Sequence, residues 1–304
     1  MSEITVTYNV HHAASFGFWV VLFISFTGLN AGSYLASLIF TYIGKKEYLP
    51  LAKFSALVVA ALWVLAPLVL LFDIGQSLRF WHLLVYFNLR SPMSWGAVIL
   101  TLYPLFGSFY LWNLFQGEWK RAKFWGFFGL PLALGSHAFV GFVLSFSTAH
   151  ILWTTALTPF FFLVTAALSG LALVIIFDAF RYYFIQRRSP EAQAKERLIF
   201  HQLGEALYIL IFADLSLILF YLLQLGLTPN LFNHALRLIT EGRISSMDFF
   251  IPVVLGLIAP LALLIVPRTS RSPFGQLIAS SLIVFGVFFM AHLVLAAAQS
   301  LPLT

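Results

Sequence analysis

The sequence predicts an all-α, polytopic membrane protein: a single integral membrane domain over residues 1–304, built as a bundle of about eight transmembrane helices. Of the 304 residues, 61% are hydrophobic and only 9% are charged, whereas a soluble globular protein carries roughly 25% charged residues. Apolar stretches of about 20 residues, the length that crosses a bilayer as a helix, recur along the whole chain. These observations exclude a water-soluble protein of one or two domains.

Short polar stretches separate eight apolar segments, and each segment is predicted to be one membrane-spanning helix. The first segment starts too late, lacks a basic flank and is too long for a cleaved signal peptide, so it counts as a span. The only extended charged stretch, residues 181–197, is predicted to be a solvated loop that divides the bundle into five and three helices. The segments cover approximately residues 14–43, 54–75, 94–116, 124–148, 156–180, 203–227, 249–267 and 275–298.

The Lys and Arg residues are divided unequally between the two faces that these segments define. Thirteen of the 17 fall on one face and four on the other. Because cytoplasmic loops are enriched in Lys and Arg, we predict that the first face is cytoplasmic and that both termini lie outside. The formal charge of +6 then reflects topology and lipid contact, and no nucleic-acid partner is expected. The four residues on the outer face are Arg79, Arg90, Arg237 and Arg243.

The absence of cysteine restricts the redox chemistry that this chain can perform. Without cysteine the chain has no thiolate ligand for a metal or an iron–sulfur cluster and no attachment site for a c-type haem. We therefore expect no metal, haem or iron–sulfur cluster in this chain. If the protein handles electrons, the metal centres belong to a partner.

The segment that joins spans 2 and 3 is unusual for a face that is poor in basic residues. It carries Asp73, Arg79 and Arg90 together with aromatic residues such as Trp81. One interpretation is an interfacial loop with a tryptophan belt and snorkelling arginines. The other is a docking surface beside a ligand pocket, with Asp73 as a proton acceptor at the membrane edge, because an ionisable group inside a span is a candidate functional residue.

Three segments of the chain resemble one family of membrane proteins. Phe26–Ser37, which is rich in small residues, is similar to the segment that opens the polysulfide-reductase-type (NrfD/PsrC-like) membrane subunits. The run Asp73–Gly96 resembles that family's second signature at a similar spacing, and Leu152–Thr155 resembles the stretch between its spans 4 and 5. The resemblance extends to the whole pattern of spans.

The resemblance implies a quinone-reactive membrane anchor in a prokaryotic cytoplasmic membrane. Such subunits exchange electrons between menaquinone or another quinone and an outward-facing, ferredoxin-like iron–sulfur subunit with four clusters, often coupled to a molybdopterin catalytic subunit. Proton translocation can accompany the electron transfer, and the chain is not expected to be active alone. The residues predicted to lie at the partner-docking surface are Arg79, Arg90, Ser91 and Trp153.

A quinone site needs hydrogen-bond partners for the ring oxygens and a base that accepts protons. Asn30 can donate to a quinone oxygen, and Asp73 can take a proton; an alternative for Asn30 is a hydrogen bond between helices. Relatives often have a tyrosine where this chain has Phe139, so His137 either compensates or simply bonds a neighbouring helix. The residues predicted to bind the quinone are Asn30, Ser33, Tyr34, Asp73, Arg79, Trp81 and His137.

Further acidic residues in or near the spans suggest a route for protons from the cytoplasm. The predicted path comprises Asp73, Asp178, Glu205 and Asp214. Two of these residues have simpler interpretations: Asp178 can pair with Arg181, and Glu205 can lie in a solvated first helical turn. Asp214 is harder to explain structurally, because an isolated acid in lipid is costly, and we predict that it lies inside the bundle.

Two other classes of membrane protein remain open at this point. A dihaem cytochrome b anchor needs pairs of histidines that face each other, and the deep candidates are His137, His292 and His201. A secondary transporter would show inverted repeats with interrupted spans in corresponding positions. Several spans contain proline, but these prolines follow no visible symmetry, and proline is generally tolerated in membrane helices.

Overall fold

The computed structural model describes residues 16–73, 79, 81–147, 152–183, 190–228, 232–233, 248 and 250–299, apart from the side chains of 190–197 and 298. All regular secondary structure in these residues is helical, which confirms the predicted all-α class. The elements are α1 (Phe18–Ile43), α2 (Leu49–Asp73), α3 (His82–Val85), α4 (Pro92–Gln116), α5 (Trp119–Ser145), α6 (Leu157–Arg181), α7 (Pro190–Leu227), a π-helix, π1 (Phe250–Ile258), α8 (Ala259–Ile265), α9 (Pro267–Ser270) and α10 (Pro273–Gln299).

Seven helices among the described residues are long and apolar enough to cross a bilayer: α1, α2, α4, α5, α6, α10 and the part Leu198–Leu227 of α7. The seventh predicted span, 249–267, is shorter, because π1 and α8 together cover only Phe250–Ile265. At about 1.5 Å per residue this helix is roughly 24 Å long, less than the hydrocarbon core of about 30 Å. The chain is therefore a multi-pass integral membrane protein, with one span shorter than predicted.

The ends of the helices follow from turn-forming residues. α1 ends at Gly44 and α4 ends at Gly117, both of which have positive φ (69° and 79°), the conformation that terminates a helix most readily when no β-carbon is present. α4 begins at Pro92 and α7 at Pro190, since proline is favourable in the first helical turn, where its missing N–H is not needed.

The prediction that residues 181–197 form a loop is wrong in its second half, because α7 already begins at Pro190. Residues 190–197 contain Ala, Glu, Gln, Lys and Arg, which all have high helix propensity. A hydropathy pattern detects only the part of a helix that lies in lipid. The polar extension was therefore missed.

α1 lies at the centre of the bundle, in contact with α2, α5, α6 and α10. Its approach to α6 is very close: a β-carbon on Gly32 would lie 1.8 Å from the Ala166 carbonyl oxygen, and one on Gly170 would lie 2.1 Å from the Gly32 carbonyl carbon. Small residues at helix crossings let membrane helices pack backbone against backbone. The small-residue segment Phe26–Ser37 therefore builds the contact between α1 and α6.

The two ends of the described chain meet at one end of the bundle. The Phe16 N–H donates to Gln299 Oε1 at 2.7 Å, and Gln299 Nε2 donates to the Phe16 carbonyl at 3.1 Å. With the short seventh span included, the chain crosses the bundle eight times, and an even number of crossings brings both ends of the chain to the same face. The prediction that this end of the bundle faces outward rests on the charge distribution.

Candidate functional site

A buried polar cluster lies halfway along α1, where α1, α2, α4 and α5 meet. Asn30 Nδ2 donates to the Val59 carbonyl of α2 at 3.1 Å, and the Tyr103 hydroxyl of α4 donates to Asn30 Oδ1 at 2.5 Å. Both side chains are buried. The Asn30 amide therefore links three helices and is held in one orientation.

His137 of α5 joins the same cluster through α1. The Thr27 hydroxyl lies 2.9 Å from the Ile24 carbonyl, to which it donates, and Thr27 Oγ1 is also 3.1 Å from His137 Nδ1. The Thr27 hydroxyl both donates and accepts, so this contact holds the Nδ1 side of the His137 ring against α1 in either neutral tautomer. Gly28 makes room for the ring, since a β-carbon there would lie 3.0 Å from His137 Cε1.

A small cavity of about 30 Å³ opens beside these groups, and its polar wall residues are Thr27, Asn30, Trp63, Tyr103 and Ser136. The Trp63 indole packs edge-on against the Tyr103 ring at 5.5 Å, and Trp63 Nε1 makes no hydrogen bond of ordinary geometry within the described part of the chain. The cavity therefore offers both donors and acceptors. The volume of the cavity suits one water molecule. Its hydrogen-bonding groups also fit a quinone oxygen, but a whole quinone ring fits only if the helices separate.

Ser33 and Tyr34, predicted as quinone-binding residues, lie one turn further along α1 than Asn30. The Tyr34 hydroxyl donates to the Gly126 carbonyl of α5 at 3.3 Å, and the Tyr34 ring contacts the Tyr103 ring edge-on at 5.5 Å. Ser33 Oγ is buried and has no hydrogen-bond partner among the residues described. Both residues are thus close to the cluster without being part of its hydrogen-bond network.

Asp73 and its neighbours lie far from this cluster. Asn30 contacts α2 at Val59, and Asp73 follows 14 residues later at the end of the same helix, a distance of about 21 Å along the axis. Asp73, Arg79 and Trp81 are all exposed. The structure therefore divides the predicted quinone-binding residues into a buried group around Asn30 and an exposed group around Asp73.

The predicted docking residues also fall into two groups. Arg79 and Arg90 are exposed and Ser91 is half-buried. Trp153 is only 2% exposed, and its Nε1 donates to the Val294 carbonyl of α10 at 2.7 Å. The Trp153 side chain therefore holds its loop against α10 and leaves little surface for a partner.

The acids of the predicted proton path have three different environments. Asp178 is fully buried, and its carboxylate forms an ion pair with Arg181 at 2.7 Å. This pairing is the simpler of the two interpretations that the sequence left open. Glu205 is 65% exposed, 3.6 Å from His201. Asp214 is fully buried in α7, and neither of its carboxylate oxygens has a hydrogen-bond partner among the described residues. Asp214 therefore lies inside the bundle, as predicted.

Sequence reasoning missed four members of the cluster: Thr27, Trp63, Tyr103 and Ser136. Each is a polar or amphipathic side chain inside an apolar span. The sequence contains 11 tyrosines and 8 tryptophans, and most aromatic residues in such a protein serve packing. The depth of Tyr103 in its span was a usable signal, but nothing in the sequence pairs it with Asn30.

Comparison with known proteins agrees with this architecture. The sequence profile of the family described as polysulphide reductase, NrfD, matches residues 7–302. The chain belongs to the NrfD family. This match covers all the spans described above, including the short seventh span. Asn30 lies within the small-residue segment that carried the resemblance.

Three relatives of this NrfD-family chain are named as subunits of oxidoreductases. The Hdr-like menaquinol oxidoreductase integral membrane subunit of Archaeoglobus fulgidus is 30% identical over 80% of this chain and 60% of its own length. A selenate reductase subunit of Mesobacillus selenatarsenatis is 28% identical over 55% and 48%. A putative dimethyl sulfoxide reductase membrane subunit of Halobacterium salinarum is 27% identical over 92% and 68%. The chain thus spans only about half to two thirds of the length of these relatives.

Proposed function

We propose that this chain is the quinone-reactive membrane subunit of a respiratory reductase complex. The observation that carries the proposal is the buried cluster of Asn30, Tyr103, Thr27 and His137 inside an otherwise apolar bundle. Polar groups within a membrane are expensive and usually functional. The name of the Archaeoglobus relative, a menaquinol oxidoreductase subunit, supports menaquinol as the substrate class.

Oxidation of a quinol to a quinone releases two electrons and two protons, so the protein must hold both ring oxygens and remove both protons. Asn30, Tyr103 and Trp63 supply the hydrogen-bonding groups at the small cavity. His137, which contacts the cavity residue Thr27 through Nδ1, supplies the base, because a neutral imidazole keeps one ring nitrogen that can accept a proton. The ring enters between α1, α2 and α4, which separate around the small cavity to admit it.

The electrons leave through another polypeptide, since this chain has no cysteine to ligate a cluster. The exposed Arg79 and Arg90 beside the end of α2 provide a docking surface for an iron–sulfur subunit, with a molybdopterin catalytic subunit behind it. Asp73, exposed at the same end, receives protons released from the site. The distance of about 21 Å between Asn30 and Asp73 requires a chain of water molecules between them.

Proton entry from the cytoplasmic side uses Asp214. Its buried carboxylate has no partner among the described residues, so its protonation state is free to change when water reaches it. Asp178 forms an ion pair with Arg181, and we assign it this structural role and no part in the proton route. Glu205, exposed near the start of the apolar part of α7, is the entrance of the route.

The test is quinol oxidation by the complex purified through a tag on this subunit, with identification of the subunits that copurify. Asn30→Leu should lower kcat/KM for menaquinol at least tenfold, because both Tyr103 and the ligand lose their partner. Asn113→Leu is the matched control: Asn113 is also buried, but its amide bonds the Phe109 carbonyl of its own helix. Equal activity in both variants, or a complex without an iron–sulfur subunit, contradicts the proposal.

A further inference from the structure

A second, larger cavity lies between α6, α7, π1, α10 and the 152–155 loop, which we call the second half of the bundle. It shares no lining residue with the cavity beside Asn30. Its volume is about 270 Å³, near the lower end of ligand pockets, roughly 300 Å³. The wall is formed almost wholly by aliphatic and aromatic side chains, among them Phe161, Leu217, Ile218, Met290 and Leu293. None of the residues predicted or proposed for quinone binding lines it.

The polar side chains at the wall already have hydrogen-bond partners within the protein. Trp153 Nε1 donates to the Val294 carbonyl at 2.7 Å, the Tyr221 hydroxyl to the Leu152 carbonyl at 3.0 Å, and Thr155 Oγ1 to Gln224 Oε1 at 2.8 Å. A buried water needs two to four polar partners, and apolar cavities of this kind stay dry. The cavity therefore has little to offer water or the polar ring of a quinone, and it favours a hydrocarbon occupant.

The cavity also has a direction. It extends along α7 from Leu225 to Leu217 and along α10 from Ala297 to Met290, a depth of about 10–12 Å at 1.5 Å per residue. Trp153 and Thr155 lie at the end where these helices finish, and aliphatic residues form the other end. Within one lipid leaflet, tryptophan and polar residues lie at the interface and aliphatic residues lie deeper. The wall of the cavity follows the same gradient of polarity.

We propose that this cavity binds one acyl chain of a membrane phospholipid, which enters beside the 152–155 loop and leaves its head group at the interface. The bound chain fills the space between α6, α7, π1 and α10 and supports the loop that Trp153 fastens to α10. The lipid is a permanent component of the fold. It takes no part in quinone chemistry, so the inference stands apart from the proposed function.

The first experiment needs no change at the cavity. The full complex is exchanged into dibromostearoyl phosphatidylcholine, and bromine quenches the fluorescence of a tryptophan that the acyl chain touches. The emission of Trp153 is the difference between the emission of the wild type and that of Trp153→Phe. This emission should be quenched in brominated lipid, and it should stay quenched after dilution into unbrominated lipid. Emission from Trp153 that is unquenched, or that recovers at once on dilution, overturns the proposal.

The second experiment fills the cavity from both ends. Ala297→Trp narrows the mouth and Met290→Trp fills the bottom, whereas Ile209→Trp adds the same group on α7 at a position that is 64% exposed. Native mass spectrometry should find one phospholipid fewer on each filled variant than on the wild type or Ile209→Trp. Equal retention in all four proteins, or a bound mass that belongs to a quinone, contradicts the assignment.

Quinol oxidation separates this inference from the function. A filled variant that has lost its phospholipid should still oxidise menaquinol within about twofold of the wild type, because the polar cluster on α1 is unchanged. Its thermal stability should no longer rise when phospholipid is added to delipidated protein. A stability that rises as much as that of the wild type would show that the lipid acts elsewhere.

Discussion

The helices of both halves of the bundle are long and apolar enough to cross a bilayer, but they are packed differently. In α1, 67% of the most apolar stretch is buried inside the protein, compared with 17% in α7. The first half contains the hydrogen-bonded cluster around Asn30, and the second contains an apolar cavity of about 270 Å³. Helices that all qualify as membrane spans therefore serve different purposes, and the difference lies in which side chains face a neighbouring helix.

The close packing of α1 is the feature whose loss should have the largest effect. Gly32→Ala sets a β-carbon against the Ala166 carbonyl oxygen, where both partners are backbone and neither can turn away. We expect the thermal unfolding temperature to fall by at least 10 °C, or the purified yield to collapse. Gly226→Ala is the control, because a β-carbon there has no neighbour within 4 Å. An equal effect at both positions would contradict the proposed role of the α1–α6 contact.

The ion pair at the end of α6 should have the second largest effect. Asp178→Asn removes the negative charge that lies 2.7 Å from the Arg181 guanidinium, which is only 7% exposed. Removing one partner of a buried ion pair costs about 3–5 kcal/mol of folding free energy. Chemical denaturation of the purified protein measures this loss. The double variant Asp178→Asn/Arg181→Gln should recover part of the lost folding free energy. A double variant that is less stable than Asp178→Asn would contradict the contribution of this ion pair to stability.

A smaller effect, specific to turnover, distinguishes two buried tyrosines on α4. Tyr103 bonds Asn30, whereas Tyr110 bonds Ser37 and Thr41 at 2.7 and 3.0 Å. Both substitutions to Phe remove one buried hydroxyl and should cost similar stability, about 1–3 kcal/mol. Only Tyr103→Phe should lower kcat/KM for menaquinol, by about tenfold. Loss of turnover in Tyr110→Phe as well would mean that general stability, and not the cluster, is limiting.

The smallest effect on quinol oxidation is expected in the second half of the bundle. Asp214→Asn keeps the shape of the side chain and removes its ability to carry a proton. In proteoliposomes, oxidation should stay within threefold of the wild type while proton translocation per electron falls. Glu118→Gln, at an exposed position outside the proposed route, serves as the comparison. Unchanged translocation in Asp214→Asn removes this residue from the proton path.

The sequence predicted the spans well because the thickness of the bilayer sets how many apolar residues a helix needs. Six of the predicted spans agree with their helices within a few residues, apart from starts five residues earlier at Leu49 in α2 and Trp119 in α5. The early start of α7 was missed because Glu, Gln and Lys hide a helix from a hydropathy pattern without weakening it. The seventh span was predicted at its position, but its shortness and π-helical conformation were not.

The site was harder to predict than the spans. Asn30 and His137 were selected because polar residues inside a span need an explanation, and both lie in the buried cluster. Asp73 was assigned to the same site, yet it lies about 21 Å away. The resemblance grouped residues by the sequence motifs that contain them. Contact in the folded protein depends instead on the position of each residue along the axis of its helix.

By itself, the sequence determined that this chain is a multi-pass helical membrane protein of the NrfD type, because hydrophobic length and small-residue motifs are local properties. Only the tertiary structure decided that Asn30 meets Tyr103, 73 residues later, and that Nδ1 of His137 meets Thr27. It also decided that an apolar cavity remains in the second half. These features depend on the rotation and register of one helix against another, which a run of apolar residues leaves undetermined.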